Sequence, residues 1–170
     1  MSDFPIIINN LQFSEQRKTL SGVVHARVFD RLVEQLALSV EADGNQNQVS
    51  YSLSGWRDVQ GRDFIQLELS ANLLMICQRC LAAMPFVIHL KFTYQVTQQS
   101  EQELMESEVM DDVVDWVEAD TDMNVSNLIE DELLLALPIA PAHDAPCTAL
   151  KFSSGEKANP FDTLKALKKS

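Results

Sequence analysis

Glycine is scarce, with five in 170 residues, and no phosphate-binding glycine loop is formed by any of them. Nucleotide binding through a P-loop or a dinucleotide fingerprint therefore has no support in the chain. Neither GxSxG nor HExxH occurs, and the three histidines, His25, His89 and His143, have no adjacent nucleophile that would suggest a triad. No apolar run reaches the roughly 18 residues that a membrane-spanning helix needs. Met1-Ser2-Asp3-Phe4-Pro5 has neither the basic stretch nor the apolar stretch of a secretory leader. Three cysteines are an odd count and suggest no disulfide framework. A reducing compartment, and so a cytoplasmic protein, is the expectation.

Basic charge is missing from a long segment. Residues 92–150 contain no Lys or Arg but carry fourteen acids, from Glu101 to Asp144. The remaining eleven acids are outnumbered by all thirteen basic residues, so the net charge of −12 is concentrated in that segment. This balance argues against a general nucleic-acid coat protein, which needs clustered Lys and Arg for phosphate. A local basic face stays open. Arg17, Lys18, Arg27, Arg31, Arg57, Arg62, Arg79 and Lys91 lie in one half of the chain, and Lys165, Lys168 and Lys169 lie near its end. Any one of them is more simply read as a solvated charge.

What is present is apolar patterning over 46% of the chain, enough for a packed core. Phe4 to Ile8 reads as a short edge strand. Phe13 to Leu20 reads as a short helix broken at Ser21-Gly22. Phe29, Leu32, Val33 and Leu36 recur at helical spacing and predict an amphipathic helix over about 26–38, with Arg27, Arg31, Glu34 and Gln35 on its wet face. After the turn signal Asp43-Gly44-Asn45 the period changes to two. Alternation predicts strands at about 49–55, 63–77 and 85–97, with a further edge strand around Val113 to Val117. Residues 98–112 read as an acidic solvated loop. Leu128 to Leu137 is a largely apolar helix, within a predicted span of 126–137, stopped by Pro138. Asn127 with Glu130 fits a capping box, and Ser126 is an alternative cap. Glu130, Asp131 and Glu132 fan out around a helix instead of converging, which favours a structural role over a carboxylate metal site. Asn159-Pro160 opens a short helix over 160–168 with Phe161, Leu164 and Leu167 on one face. The predicted class is α+β: an antiparallel sheet covered by helices, as one domain over 1–147 followed by a flexible tail over 148–170.

Chemistry concentrates at Cys77-Gln78-Arg79-Cys80, between the two longest strand patterns. Three readings stay open. A redox pair needs a strand-to-helix junction that lowers a thiol pKa, whereas here a strand pattern follows. A zinc site needs about four ligands, and Cys77 with Cys80 finds its complement only in His143 and Cys147. The third reading is three reduced thiols without a ligand. The zinc reading carries a geometric condition: the loops at 77–80 and 143–147 must meet.

Several motifs occur together in a fixed order. They are Cys77-Gln-Arg-Cys80 after a long strand, Asn127-Leu-Ile-Glu-Asp-Glu-Leu-Leu-Leu-Ala-Leu-Pro138, His143-Asp144 with Cys147, and Asn159-Pro160-Phe161 with Leu164 and Leu167. The combination resembles the bacterial YceD family, the large ribosomal RNA subunit accumulation proteins. The resemblance implies a small cytoplasmic protein needed for normal synthesis, processing or stability of large-subunit (23S) ribosomal RNA, with no assigned active site. Relatives with a more cysteine-rich segment after the LALP helix look like complete metal binders, and in this chain that segment offers His143 and Cys147.

The expectation is thus a non-enzymatic ribosome-biogenesis factor. Its acidic segment suits a basic partner such as a ribosomal protein. Arg79 at the hairpin tip, Arg27, Arg31, Arg57 and the tail residues Phe161, Lys165 and Lys168 are the candidates for contact with RNA or an assembly factor. For Arg79 a salt bridge to a nearby acid is an equal alternative. The competing class is an enzyme of RNA metabolism, either a nuclease with converging carboxylates and Mg²⁺ or an oxidoreductase with a low-pKa Cys77 or Cys80.

Overall fold

The computed structural model describes residues 5–37, 46–98, 114–144 and 147. The chain runs β1 (Ile7–Ile8), α1 (Asn10–Glu15), β2 (Thr19–His25), a 3-10 turn (Ala26–Val28), α2 (Asp30–Val33), β3 (Gln48–Arg57), β4 (Asp63–Ile76), β5 (Ala83–Thr97), β6 (Asp115–Glu118), β7 (Met123–Asn124) and α3 (Val125–Ala136). Five strands form one sheet in the order β2-β3-β4-β5-β6, and β1 pairs with β7. All neighbours in the larger sheet are antiparallel except β5 and β6, which are parallel. The α+β class and the three central strands agree with the periodicity of the sequence.

Alternation decides which face is buried. Ile65, Leu67, Leu69, Ala71, Leu73 and Met75 of β4 all point into the core. Register sets them opposite Tyr94, Phe92, Leu90, Ile88, Phe86 and Met84 of β5. Val49, Tyr51 and Leu53 of β3 continue the same layer, and Val125, Ile129 and Leu133 of α3 belong to the same apolar cluster. The middle of the outer face is polar and paired across strands. Lys91 Nζ meets Glu68 at 2.8 Å, Ser70 Oγ lies 3.0 Å from His89 Nδ1, and Gln66 donates to Thr93 at 3.2 Å. His89 is exposed, consistent with its polar phase. Pro85 stands opposite Leu74. The Leu74 backbone is satisfied on the other side, donating to Asn47 Oδ1 at 2.9 Å and accepting from the Ala37 N–H at 2.8 Å. The missing N–H of Pro85 therefore leaves no gap in the ladder.

Four local expectations change. The helix expected over 13–20 is α1, which starts earlier, capped by Asn9 accepting from the Gln12 N–H. It stops at Arg17, whose φ of +50° turns the chain into β2. Gly22 does not break structure. It lies within β2 opposite Tyr51, and an added Cβ would sit 2.6 Å from the Tyr51 hydroxyl oxygen. Glycine here marks a close cross-strand approach.

The continuous helix expected over 26–38 is a 3-10 turn and a single helical turn, α2, separated by Phe29 with φ −106° and ψ 100°. Its apolar stripe is nonetheless correct, because Phe29, Leu32 and Leu36 are all buried. Leu36 instead bridges to Met75, so this segment extends the edge of the sheet. The caps expected for the long helix also shift. Asn124 is the N-cap of α3, accepting from Ser126 and Asn127, while the Ser126 hydroxyl accepts the Ile6 N–H at 3.0 Å. The helix over 160–168, the tail over 148–170 and all but residue 98 of the acidic segment 98–112 lie outside the described residues.

Buried polar side chains tie the layers. Asn10 is fully buried, donating to the Glu118 carbonyl at 2.8 Å and accepting the Asp120 N–H at 3.0 Å. This fastens α1 to the segment between β6 and β7. The same helix presses on β3 at Gly55, where an added Cβ would lie 2.8 Å from Phe13 Cδ1, the Phe13 carbonyl and Ser14 Cα. Backbone cannot give way as a flexible side chain can. Gly55→Ala is therefore expected to lower stability by about 1–3 kcal/mol in urea unfolding, the usual cost of overpacking. An unchanged midpoint would contradict this contact between α1 and β3.

Candidate metal centre

The inward phase of β4 continues one residue past its last ladder pair, Ile76 with Ala83, and so carries Cys77 to the core side, where it is fully buried. A tight turn closes the hairpin. The Cys77 N–H donates to the Ala82 carbonyl at 3.0 Å, and the Leu81 N–H donates to the Cys77 carbonyl at 2.9 Å. Leu81 adopts φ +60° and stays exposed. This turn folds Cys80 back towards Cys77.

The second half arrives after α3. Pro138 and Pro141 follow the helix in a segment without regular structure. The Pro141 carbonyl accepts the Gln78 N–H at 2.8 Å, and the Arg79 guanidinium donates to the His143 carbonyl. These two bonds lay the segment along the hairpin tip. Cys77 Sγ then lies 3.9 Å from Cys147 Sγ, and Cys80 Sγ lies 3.5 Å from His143 Nδ1. Ligand atoms of all four residues fall within 4.8 Å of one another. The two loops meet, as the zinc reading required.

The spacing selects among the chemistries. A disulfide needs sulfurs about 2.05 Å apart. All three cysteines are free, and the 3.9 Å separation is far too long for that bond. A tetrahedral ion with metal–sulfur bonds of about 2.3 Å and metal–nitrogen bonds of about 2.0 Å places sulfurs roughly 3.8 Å apart and sulfur from nitrogen roughly 3.5 Å apart. Both distances are close to those found. The set is thus compatible with zinc held through Cys77, Cys80, Cys147 and His143 Nδ1. With four protein ligands the arrangement is closed, as in structural sites, whereas catalytic zinc keeps a position open for water.

Electrostatics favours an anionic sulfur at the buried corner. Burial acts to raise the Cys77 pKa, but it is outweighed by the backbone N–H groups of Cys80, His143 and Arg79 and by the Cys80 side chain, which bring it down to about 5. Cys147 moves upward through burial and the neighbouring Cys80 and Cys77 sulfurs, with Arg79 acting in the opposite direction. Arg79 thus supplies positive charge beside the sulfurs as well as a tether between the loops. No helix follows Cys80; β5 does, so the helix N-terminus of a thioredoxin-like redox pair is not available.

The other candidates scatter. Arg31 grips Glu130, with Nε and Nη2 at 3.0 and 2.9 Å from Oε2, while Glu130 Oε1 accepts the Arg31 and Leu32 N–H groups at 2.7 and 3.2 Å. Asp131 adds a contact of 2.6 Å to Arg31. Arg57 holds Asp63 at 2.7 and 3.0 Å and Glu15 at 2.7 Å. Arg27 is exposed at the 3-10 turn, remote in sequence from the hairpin tip. Phe161, Lys165 and Lys168 lie outside the described residues. The acids of α3 are structural, as their fan-like spacing suggested. Glu130 and Asp131 serve Arg31, and Glu132 accepts the Tyr94 hydroxyl at 2.7 Å. Burial, then Glu132 and Asp115, push the Tyr94 hydroxyl upward in pKa.

A family model described as "Large ribosomal RNA subunit accumulation protein YceD" matches residues 65–168. The chain belongs to the YceD family. The YceD match takes in nearly all of β4, the whole of β5 and α3, and all four residues of the cluster. No solved structure matches the chain. Among the described residues no helix is long and apolar enough to cross a membrane.

The contact between Arg31 and Glu130 sets a pH dependence. Burial would raise the Glu130 pKa, but Arg31 and the Arg31 and Leu32 N–H groups overcome it and hold the carboxyl below its ordinary 4.5. A depressed folded pKa contributes stability above the unfolded value, and the contribution is lost as pH falls through the folded value. Glu130→Gln is expected to cost about 1–2 kcal/mol at pH 7 in urea unfolding, the scale of charged hydrogen bonds with a half-exposed partner. The gap should shrink steadily below about pH 4.5. A pH-independent difference would contradict an ionised Glu130.

Proposed function

We propose that the protein is a non-enzymatic cytoplasmic factor of ribosome biogenesis. It supports accumulation of large-subunit (23S) ribosomal RNA by binding that RNA, a ribosomal protein, or both. The observation that carries this reading is the match of residues 65–168 to the YceD family and its description.

The geometry supports binding over catalysis. The lowered pKa of Cys77 would suit thiol chemistry, but its sulfur is buried and enclosed by Cys80, Cys147 and His143. A buried, enclosed thiolate is poorly placed to attack a macromolecular substrate. The acids of α3 are taken up by Arg31 and Tyr94, so they do not converge as a Mg²⁺-dependent nuclease requires.

The charge pattern supports a basic protein partner. Residues 92–150 carry fourteen acids and no Lys or Arg, and an acidic excess of this kind speeds and orients encounter with a basic protein such as a ribosomal protein. Arg31 and Arg57 are held by carboxylates, which leaves Arg27, Lys165 and Lys168 as the better candidates for RNA phosphate.

In cells depleted of the protein, the ratio of large- to small-subunit ribosomal RNA is expected to fall and to recover with a plasmid copy. Crosslinking in cells should recover large-subunit RNA or a basic ribosomal protein. Replacing Arg27, Lys165 and Lys168 together by Glu should remove RNA crosslinks while sparing the protein partner. An unchanged RNA ratio after depletion, with neither partner recovered, would overturn the proposal.

A further inference from the structure

We propose that Cys77, Cys80, His143 and Cys147 bind one Zn²⁺ in a closed tetrahedral Cys₃His site, and that this ion fastens the β4–β5 hairpin tip to the segment after α3.

Four independent features of the cluster converge on this assignment. The first is separation in sequence. The facing pairs Cys77–Cys147 and Cys80–His143 join positions 70 and 63 residues apart, so chance adjacency in a single loop does not explain them. The second is donor chemistry. Thiolate and imidazole select zinc over Mg²⁺ and Ca²⁺, which take oxygen ligands, and none of the four residues offers a carboxylate. The third is distance, since the 3.9 Å and 3.5 Å separations lie close to the edges of a zinc tetrahedron.

The fourth is the support around the ligands. His143 presents Nδ1 to the cluster, and its backbone carbonyl is held by the Arg79 guanidinium. Backbone N–H groups of Arg79 and Cys80 are directed at the Cys77 sulfur. Second-sphere donors of this kind orient metal ligands and offset the negative charge of three thiolates. Zinc binding displaces any thiol protons to solvent, and neither the protein nor the ion changes oxidation state.

The ion would also have a mechanical consequence. Among the described residues, the Gln78–Pro141 and Arg79–His143 hydrogen bonds join tip and segment. A metal clip closing a loop of this length restrains the chain far more than individual hydrogen bonds do. The inference does not rest on the ribosomal reading, because it is tested on purified protein alone.

Full-length untagged protein, purified without chelator, is expected to contain one zinc per chain by elemental mass spectrometry. Replacement by Co²⁺ should give the intense visible bands of tetrahedral cobalt and the near-ultraviolet bands of sulfur-to-cobalt charge transfer. Cys147→Ser and His143→Ala are expected to lose most of the zinc, while His143→Cys and Arg79→Lys retain it. Cys77→Ser lies at the core and is the variant most exposed to misfolding. Cys147→Ser and His143→Ala lie outside the sheet and keep the test decisive. Folded parent protein that stays zinc-free after reconstitution, or that forms a disulfide among these cysteines in place of binding metal, would overturn the proposal. Full zinc in Cys147→Ser would overturn the four-ligand set.

Discussion

The β4–β5 ladder pairs Asp63 with Val96 at one end and Ile76 with Ala83 at the other, with no slip between, and most of the molecule's chemistry follows from that register. Side chains alternate strictly along a strand, so a shift of one residue would turn the whole apolar set of β4 to solvent. The same shift would turn Cys77 away from Cys147. Burial of Leu67, Leu69 and Leu73 therefore does more than build a core. It aims a sulfur at the place where the segment after α3 arrives. Hydrophobic burial of this size sets the fold, and a metal ligand at the end of the strand inherits its orientation at no further conformational cost.

A second fastening uses charge. Glu130 of α3 accepts two backbone N–H groups at the start of α2 and two bonds from the Arg31 guanidinium. A short helical turn such as Asp30–Val33 cannot persist alone in water. Its stability comes from a carboxylate supplied by another element. Arg57 behaves in the same way, satisfying the buried Asp63 at the start of β4. The arginines that look available for RNA in a list of residues are thus partly consumed in holding the layers together. The sequence meanwhile concentrates acidic charge in residues 92–150, which carry no Lys or Arg. A charge balance of that kind is what the proposed basic protein partner draws on.

Much of this was legible in the sequence, for reasons that can be named. The strands at 48–57, 63–76 and 83–97 announce themselves because each has one buried and one wet face, which writes a period of two. The cluster was legible as a condition: CxxC needs two more ligands, and only His143 and Cys147 could supply them. Strand β2 was hidden because Ser21 and Gly22 look like a break, while the reason for Gly22 is the Tyr51 ring across the ladder. The helix expected over 26–38 had the right stripe and the wrong backbone, because spacing reports which side chains are buried and says nothing of Leu36 bridging to Met75. The N-cap of α3 moved from Asn127 to Asn124 because Ser126 is engaged by Ile6, a contact 120 residues away in sequence. The carboxylates that engage Arg31 and Arg57 were hidden where they are distant in sequence, as Glu130 is from Arg31 and Glu15 is from Arg57.

The central claim is that four ligands from two distant loops are drawn together by one ion. The most direct measurement is hydrogen exchange at the Gln78 amide, which donates to the Pro141 carbonyl across the junction, before and after removal of metal by a chelator. The account predicts protection of Gln78 in the metal-loaded protein and its loss on chelation, while the Leu69 amide in the middle of β4 stays protected. Gln78 protection that is indifferent to the chelator would contradict it.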